Sequence, residues 1–319
     1  MTAPRQALDG DTRGMRVVSR RRHSFAYWLR GVGWRHVVAV IAVLFAAFPI
    51  VYVISASLSK KNTMTDANKL FSTVTLTNYT MLGCDQATAA DVNRCNRVAD
   101  YWLWFGNTVE IAAITAIGTV ILGAAAAYAF SRFRFRGRRA GLASLMIIQM
   151  FPQMLAFVAI LLLLTTLGEV IPALGVGSKI GLIAVYLGGA LGTNTFLMYG
   201  FFNTIPVSLD EAAKIDGATH AKIYWTIVMP LVIPIIAVTA LLSFIGTFGE
   251  YILASVVLGS NRDNWTLAMG LYLLIGDSRA PELTLFAAGA TLAALPVLVL
   301  FLFLQKYIVS GLTGGAVKG

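Results

Sequence analysis

The sequence is poor in the residues that bind metals or carry out catalysis. Its 319 residues include two cysteines, three histidines and 15 acidic residues. His23, His36 and His220 lie outside its long apolar runs, and the chain has no HExxH, phosphate-binding loop or G-x-S-x-G pattern. We therefore predict no metal site and no enzyme activity. If ATP drives the function of this chain, another polypeptide must hydrolyse it.

Long apolar runs dominate what is present. Hydrophobic residues make up 57% of the chain, and its mean hydropathy is +0.74. The runs reach roughly 20 residues, the length that crosses the hydrocarbon core of a bilayer. This pattern predicts an all-α membrane protein with six transmembrane helices, over residues 37–58, 107–130, 142–167, 180–202, 231–258 and 284–304. An even number of spans places both termini on one side of the membrane.

The first apolar run has two interpretations. Ala56 and Ser57 resemble the small residues of a signal-peptide cleavage site. However, the preceding tail of about 36 residues and the apolar run of about 22 are longer than a secretory signal requires. We interpret the run as an uncleaved anchor.

Basic residues are divided unevenly between the two predicted sides. The formal net charge is +10, and 17 of the 25 lysines and arginines fall on the side that holds the termini. Five of the 17 crowd the second connection: Arg132, Arg134, Arg136, Arg138 and Arg139. The positive-inside rule predicts that this side, and therefore both termini, are cytoplasmic. This distribution accounts for the positive charge, so we predict no nucleic-acid partner.

The two cysteines, Cys84 and Cys95, lie in the long outer connection of residues 59–106. An extracytoplasmic position permits a disulfide bond, and no second pair of cysteines or histidines indicates a metal site. A bridge between them is the favoured interpretation, and two free thiols are the alternative.

Polar groups inside the predicted spans are few, and two of them are candidates for a substrate pathway. Asn194 lies at mid-span depth, where an amide needs a partner helix or a wet pathway. Glu250 lies deep in the fifth span, where a carboxylate normally pairs, protonates or lines water. Asn194 could make an interhelical hydrogen bond or contact substrate, and Glu250 could be a satisfied packing residue or line the pathway. Proton-coupled carriers typically need more ionisable groups than these.

The stretch SLDEAAKIDGATHAKIYW interrupts the apolar pattern between the fourth and fifth spans. Ser208 and Glu211 have the spacing of a helix capping box, and Gly217 is placed to end the first helix in a left-handed cap. A second helix is expected over residues 218–228. The stretch could be a solvated hairpin or a docking surface of small and charged residues.

The spacing within this stretch resembles a known motif. Glu211, Ala212, Ala213 and Gly217, followed by Ile227 and Pro230, match the EAA loop of ABC importer membrane subunits, with Met229 where the family usually has leucine. The segments QMFPQMLAFVAI, GEVIPALGVGS, YLGGA and GLTGGAVKG are similar to the MalG-type subunit of maltose/maltodextrin ABC importers. The resemblance covers the chain from about residue 101 to its end, and more weakly the first span.

The resemblance implies a type I ABC importer permease fold and a set of partners. These are a MalF-type permease subunit, two copies of a cytoplasmic ATPase that binds ATP and Mg, and an extracytoplasmic sugar-binding protein. Glu211, Ala212, Ala213, Asp216 and Gly217 would belong to the coupling helix that docks on the ATPase. The carboxy-terminal tail, with Gly311, Gly314, Gly315 and Lys318, would also reach the ATPase, and residues 259–283 would reach the binding protein.

The expected organisation is a basic cytoplasmic tail (1–36), a first transmembrane helix (37–58), an extracytoplasmic loop (59–100), a permease core (101–308) and a cytoplasmic tail (309–319). The expected function is that of a permease subunit in the cytoplasmic membrane, in contact with lipid and binding no cofactor itself. It would translocate maltose, maltodextrin or a related oligosaccharide such as trehalose. The alternatives are a secondary carrier that works without ATP and a structural membrane subunit that transports nothing.

Overall fold

The protein is helical throughout the part of the chain that the structure describes. A computed structural model describes residues 29–60, 70–87, 89, 91–276 and 281–316. Within these ranges there are helices and turns but no strand, which confirms the predicted all-α class. The chain divides into two compact units, residues 1–51 and 52–319. Most of the predicted basic tail, residues 1–28, lies outside the described residues.

The first predicted span is a single apolar helix. After one π-helical turn at Leu29–Gly33, helix α1 covers Trp34–Ser57 and contains Pro49. None of the side chains of its most apolar stretch is buried, and Phe45, for example, is 82% exposed. An apolar helix surface of this kind suits a lipid environment.

The predicted outer loop contains two short helices linked by a disulfide bond. Helix α2 covers Thr77–Met81 and helix α3 covers Val92–Val98. Cys84 and Cys95 are bonded, with their Cα atoms 5.8 Å apart, and Cys95 is fully buried. The Asn78 amide donates to the carbonyl oxygens of Ser57 and Ser59, at 2.9 and 2.8 Å. This part of the loop is therefore a packed structure.

The predicted third span, residues 142–167, is broken in the structure. Helix α4 covers Tyr101–Arg132, helix α5 covers Arg138–Gln149, and helix α6 covers Gln153–Val170. The break falls before Pro152, because proline has no amide hydrogen to donate and disfavours a helical conformation in the residue that precedes it. Neither α5 nor α6 alone passes as a membrane-spanning helix by length and composition.

The fourth predicted span is continuous, whereas the fifth is interrupted. Helix α7 covers Lys179–Phe202. The next helices, given in chain order, are α8 at Val207–Ile215, α9 at His220–Ile223, α10 at Met229–Leu231, α11 at Ile233–Phe248 and α12 at Ile252–Leu258. A π-helical turn at Tyr224–Val228 joins α9 to α10, and the stretch His220–Leu231 meets α11 at a bend of 78°.

The last two helices are α13 at Leu267–Gly276 and α14 at Leu283–Ala316. Across the described residues, four helical stretches are long and apolar enough to cross a membrane: Gly31–Ser57, Val92–Arg132, Lys179–Phe202 and Leu283–Ile308. The bent pair that ends at Phe248 would make a fifth.

Helix α4 is the centre of the packing, and small residues allow its neighbours to approach. Ala124 and Ala127 are completely buried in a cluster with Met198 and Phe202 of α7. At the other end of α4, Trp104 packs against α13 at Gly270. A Cβ atom at Gly270 would lie 1.9 Å from the Trp104 ring, so only glycine fits there.

The segment between α12 and α14 is tied to α3 and to the amino-terminal end of α4 by polar contacts. Arg94 forms an ion pair with Glu282 at 3.0 Å, and Arg262 forms one with Asp100 at 2.7 Å. The Asn107 amide donates to the carbonyl oxygen of Asp263 at 2.7 Å. The described part of residues 259–283 is therefore held against α3 and the amino-terminal end of α4.

Candidate functional site

The predicted docking segment begins with helix α8, but its start differs from the expected capping box. The helix begins at Val207, directly after Pro206, and no side chain caps it. Ser208 therefore lies inside the first turn, and the predicted Ser208–Glu211 box is wrong. Pro206 determines this start, because it has no amide hydrogen to satisfy and disfavours a helical conformation at Ile205.

The end of helix α8 has the predicted left-handed glycine. Gly217 has φ of +79°, and its amide donates to the Lys214 carbonyl at 3.0 Å, while the Ala218 amide donates to the Ala213 carbonyl at 2.9 Å. These two bonds are those of a Schellman motif. Thr219 then caps helix α9 by accepting a bond from the Lys222 amide. The turn between the two helices is therefore specified by Gly217 and Thr219.

A buried ion pair attaches helix α8 to the end of helix α4. Arg132 Nε lies 2.7 Å from Asp210 Oδ2, and both side chains are about 5% exposed or less. The Arg132 guanidinium also donates to the Ile205 carbonyl at 3.1 Å. Ala213, one turn beyond Asp210, packs into the cluster that contains Ala127 and Phe202. Helix α8 is therefore held through one charged and one apolar contact.

Aromatic side chains attach the second helix of the segment to the same place. The Tyr128 hydroxyl donates to the His220 carbonyl at 3.4 Å. The Tyr128 and Tyr224 rings meet edge to face with their centroids 5.0 Å apart, and Phe133 meets the His220 ring at 5.1 Å. Both helices of the segment therefore rest on the last turn of α4 and the residue that follows it.

The opposite face of the segment is open. Glu211, Ala212 and Asp216 are exposed, and Ile215 is the most exposed large apolar side chain of the chain's described part at 87%. Ile215 therefore adds an exposed apolar side chain to a face that is otherwise small or charged. Ile215, Arg132 and Asp210 were not predicted from the sequence to belong to this site. The sequence offered a signal for Ile215, which is apolar yet adjoins Asp216 and Gly217 at the helix end.

The structure brings the two pathway candidates, Asn194 and Glu250, to one cavity. This cavity has a volume of about 940 Å³ and lies among α5, α6, α7 and α11. Its walls are mainly apolar, and its polar lining comes from Gln149, Tyr186, Thr193, Asn194, Ser243, Thr247 and Glu250. Such a cavity, apolar with a few hydroxyl and amide groups, can hold a small polar molecule.

Glu250 occupies the break between α11 and α12 and has several partners. Its carboxylate accepts bonds from the Leu253 and Ala254 amides at 2.7 and 2.9 Å, and from the Tyr186 hydroxyl at 2.7 Å. The carboxylate therefore caps helix α12 and lines the cavity at the same time. Asn194 is 8% exposed, and its amide makes no side-chain hydrogen bond to the described residues.

Three of the four carboxy-terminal candidates lie on helix α14. This helix continues past residue 308 to Ala316, so Gly311, Gly314 and Gly315 are helical. Lys318 lies outside the described residues.

Comparisons with known proteins agree on one family. Residues 119–314 match the family described as "Binding-protein-dependent transport system inner membrane component". The chain is 44% identical to the maltodextrin transport system permease protein MdxG of Bacillus subtilis, over 69% of this chain and 76% of that protein. It is also 44% identical to the maltose/maltodextrin transport system permease protein MalG of Salmonella typhimurium, over 68% and 72%.

Two further similarities concern other carbohydrates. The galactooligosaccharides transport system permease protein GanQ of Bacillus subtilis is 42% identical over 69% of this chain and 75% of that protein. Among solved structures, a bacterial ABC transporter that imports the acidic polysaccharide alginate shares the fold, with a TM-score of 0.69. That match covers 89% of this chain and 98% of the other at 23% identity.

We predict that Asp210→Ala releases helix α8 from helix α4. The substitution leaves the Arg132 guanidinium buried without its carboxylate, a change that typically costs about 3–5 kcal/mol. Amide hydrogen exchange of the detergent-purified full chain should speed up across residues 205–223 and stay slow within α4 and α7. The matched control is Glu211→Ala, which removes the neighbouring, exposed carboxylate. Equal protection in the two variants would show that the ion pair does not hold the helix.

Proposed function

Since the chain belongs to the family of binding-protein-dependent transport system inner membrane components, we infer that it is the permease subunit of an ABC importer that carries a sugar across the membrane. The observation that carries this conclusion is the similarity to maltodextrin and maltose permeases over more than two thirds of the chain. The family match also contains both helix α8 and the cavity. The subunit itself has no role in hydrolysing ATP; that reaction belongs to a separate ATPase.

The finer organisation follows the same proposal. The chain would cross the cytoplasmic membrane six times, with α5 and α6 together forming the third crossing and both termini in the cytoplasm. It would pair with a MalF-type permease, and two copies of an ATPase, which bind ATP and Mg, would dock on the cytoplasmic side. A sugar-binding protein would deliver substrate on the outer side. The charge distribution supports this orientation.

Helix α8 and its turn are the proposed contact with the ATPase. Glu211, Ala212 and Asp216 are exposed and would touch the ATPase directly. Ala213 is buried against α4 and α7, and Gly217 sets the angle of the turn. These two residues would position the surface rather than bind. Gly311, Gly314 and Gly315 near the end of α14, together with Lys318, are proposed as a second contact with the ATPase.

The cavity that contains Asn194 and Glu250 is the proposed sugar pathway. Sugars offer many hydroxyl groups, which suit amide, hydroxyl and carboxylate partners set in apolar walls. Asn194 is the better candidate for a direct contact, because its amide is unpaired within the described chain while the Glu250 carboxylate already accepts three bonds.

ATP hydrolysis by the complete transporter tests the proposed function. The transporter is reconstituted in liposomes with its binding protein, and maltose, maltotriose and trehalose are compared. We expect one class of sugar to stimulate hydrolysis and to enter the liposomes only when all subunits and ATP are present. Uptake by this chain alone without ATP would indicate a secondary carrier. If the presence of this chain had no effect on uptake, it would be a structural subunit.

For the pathway, we predict that Asn194→Leu weakens sugar uptake. The substitution keeps a similarly branched side chain but removes the amide that a sugar hydroxyl would bond. The half-saturating sugar concentration should rise about five- to tenfold, as expected for the loss of one net hydrogen bond. Asn194→Gln, which retains an amide, is the control. If Asn194→Leu leaves the half-saturating concentration unchanged, Asn194 has only a packing role.

For the coupling turn, we predict that Gly217→Val inserts normally and pairs with the partner permease but loses sugar uptake. No atom lies within 4 Å of a Cβ built at Gly217, so there is no clash, but its φ of +79° disfavours any side chain. The strain of about 1–2 kcal/mol is too small to unfold the protein, yet it would reorient helix α8 on the ATPase.

The measurements for this prediction are uptake, ATP hydrolysis and co-purification of the ATPase from the same membranes. Gly217→Asn is the matched control, because asparagine tolerates the left-handed conformation better than valine does. Wild-type transport by Gly217→Val at equal abundance would mean that the turn is a passive linker.

A further inference from the structure

The proposed coupling contacts use only one of the five arginines in the second connection. Arg132 pairs with Asp210, and Arg138 donates to the Tyr199 hydroxyl at 3.2 Å. Arg134, Arg136 and Arg139 are exposed and have no ion-pair partner among the described residues. These arginines line an open pocket of about 530 Å³ together with Phe135, Gly137 and Ala140. No acidic residue belongs to that lining.

The alternation of arginine and phenylalanine builds this pocket. After α4 ends, Phe133 has an extended backbone with φ of −93° and ψ of 144°, and side chains of an extended segment alternate between two sides. The Phe133 ring packs on Tyr128, and the Phe135 ring packs on Phe130, with centroid distances of 5.6 Å in both cases. The aromatic rings thus hold the segment against α4, while the arginines between them remain free.

The start of helix α5 adds further positive potential to the same pocket. Gly137, with φ of +88°, precedes the helix and supplies no capping side chain. The first bond of the helix runs from the Gly141 amide to the Gly137 carbonyl at 2.7 Å, so the Arg139 and Ala140 amides have no acceptor inside the helix. Free amides at the positive end of a helix favour an anion.

The position of the pocket identifies the source of that anion. The pocket follows directly on α4, which contains a membrane-spanning stretch, so it lies at a membrane surface. The lining also carries an exposed aromatic ring, since the Phe135 side chain is 46% exposed. Guanidinium groups next to an exposed apolar surface match a molecule with an anionic head and an acyl chain.

We propose that residues Arg134–Ala140 bind the phosphate headgroup of an anionic phospholipid. Arginine suits this ligand because its guanidinium can bond two phosphate oxygens at once. The proposal depends on insertion of the chain into a membrane but not on sugar transport, so its test measures lipid binding alone.

Native mass spectrometry of the delipidated, assembled transporter tests the proposal. Phosphatidylglycerol and phosphatidylcholine are titrated separately, and glycerol 3-phosphate is added as the headgroup without acyl chains. We expect preferential binding of phosphatidylglycerol, weakened on the order of a hundredfold in Arg134→Gln/Arg136→Gln/Arg139→Gln, since each basic residue near a lipid surface contributes about fivefold. The matched control Arg35→Gln/Lys60→Gln/Lys306→Gln removes three exposed charges elsewhere and should keep the parent affinity.

Three results would overturn the proposal. These are phosphatidylglycerol binding that the triple glutamine variant retains, equally tight binding of glycerol 3-phosphate, and binding that appears only after the ATPase is removed. The last result would assign the arginines to a protein contact. If the triple variant fails to assemble, a photoactivatable phosphatidylglycerol in membranes with the unaltered transporter replaces it. Its cross-links should map to residues 133–149, and cross-links confined to other segments would equally overturn the proposal.

Discussion

The buried ion pair between Arg132 and Asp210 is the constraint on which the proposed coupling site depends. A buried pair adds little net stability, because removing both charges from water costs about as much as their attraction returns. The pair instead fixes the position of helix α8, because moving the helix away would leave one of the two charges buried without a partner. Helix α8 is therefore confined to one place at the end of α4. The position of its exposed face is fixed as a result. Movement of α4 must then displace Glu211 and Ile215 as well.

A second polar group, Glu250, shows how a carboxylate can be tolerated among apolar helices. The break between α11 and α12 frees backbone amides that would otherwise need partners. The carboxylate accepts hydrogen bonds from two of these amides and from the Tyr186 hydroxyl. The break thus supplies donors for the carboxylate, and the carboxylate supplies an acceptor for the freed amides. The same carboxylate caps helix α12 and lines the cavity, so a packing role and the proposed place in the sugar pathway are compatible.

The sequence predicted the helical class, the approximate positions of the apolar helices and the glycine cap at Gly217, because each rests on local patterns of apolar runs and turn residues. It did not predict the break before Pro152 or the true start of α8, although Pro152 and Pro206 are visible in the sequence. A proline can kink a helix or end it, and only the packing around it decides which. Arg132 and Asp210 are 78 residues apart and belong to separate helices, so no local sequence pattern could pair them.

The exposed surface of the proposed coupling segment could not be predicted from the sequence, for the same physical reason. The EAA spacing is a pattern of small residues and a glycine, and it locates the turn. Which side of α8 remains open depends on what the other side packs against, and that is fixed by Ala213 in the cluster with Phe202 and by Asp210. With these two residues turned inward, the helical period places Ala212 and Ile215 outward, three residues apart on one face. The docking surface is thus determined by the two residues that face away from it.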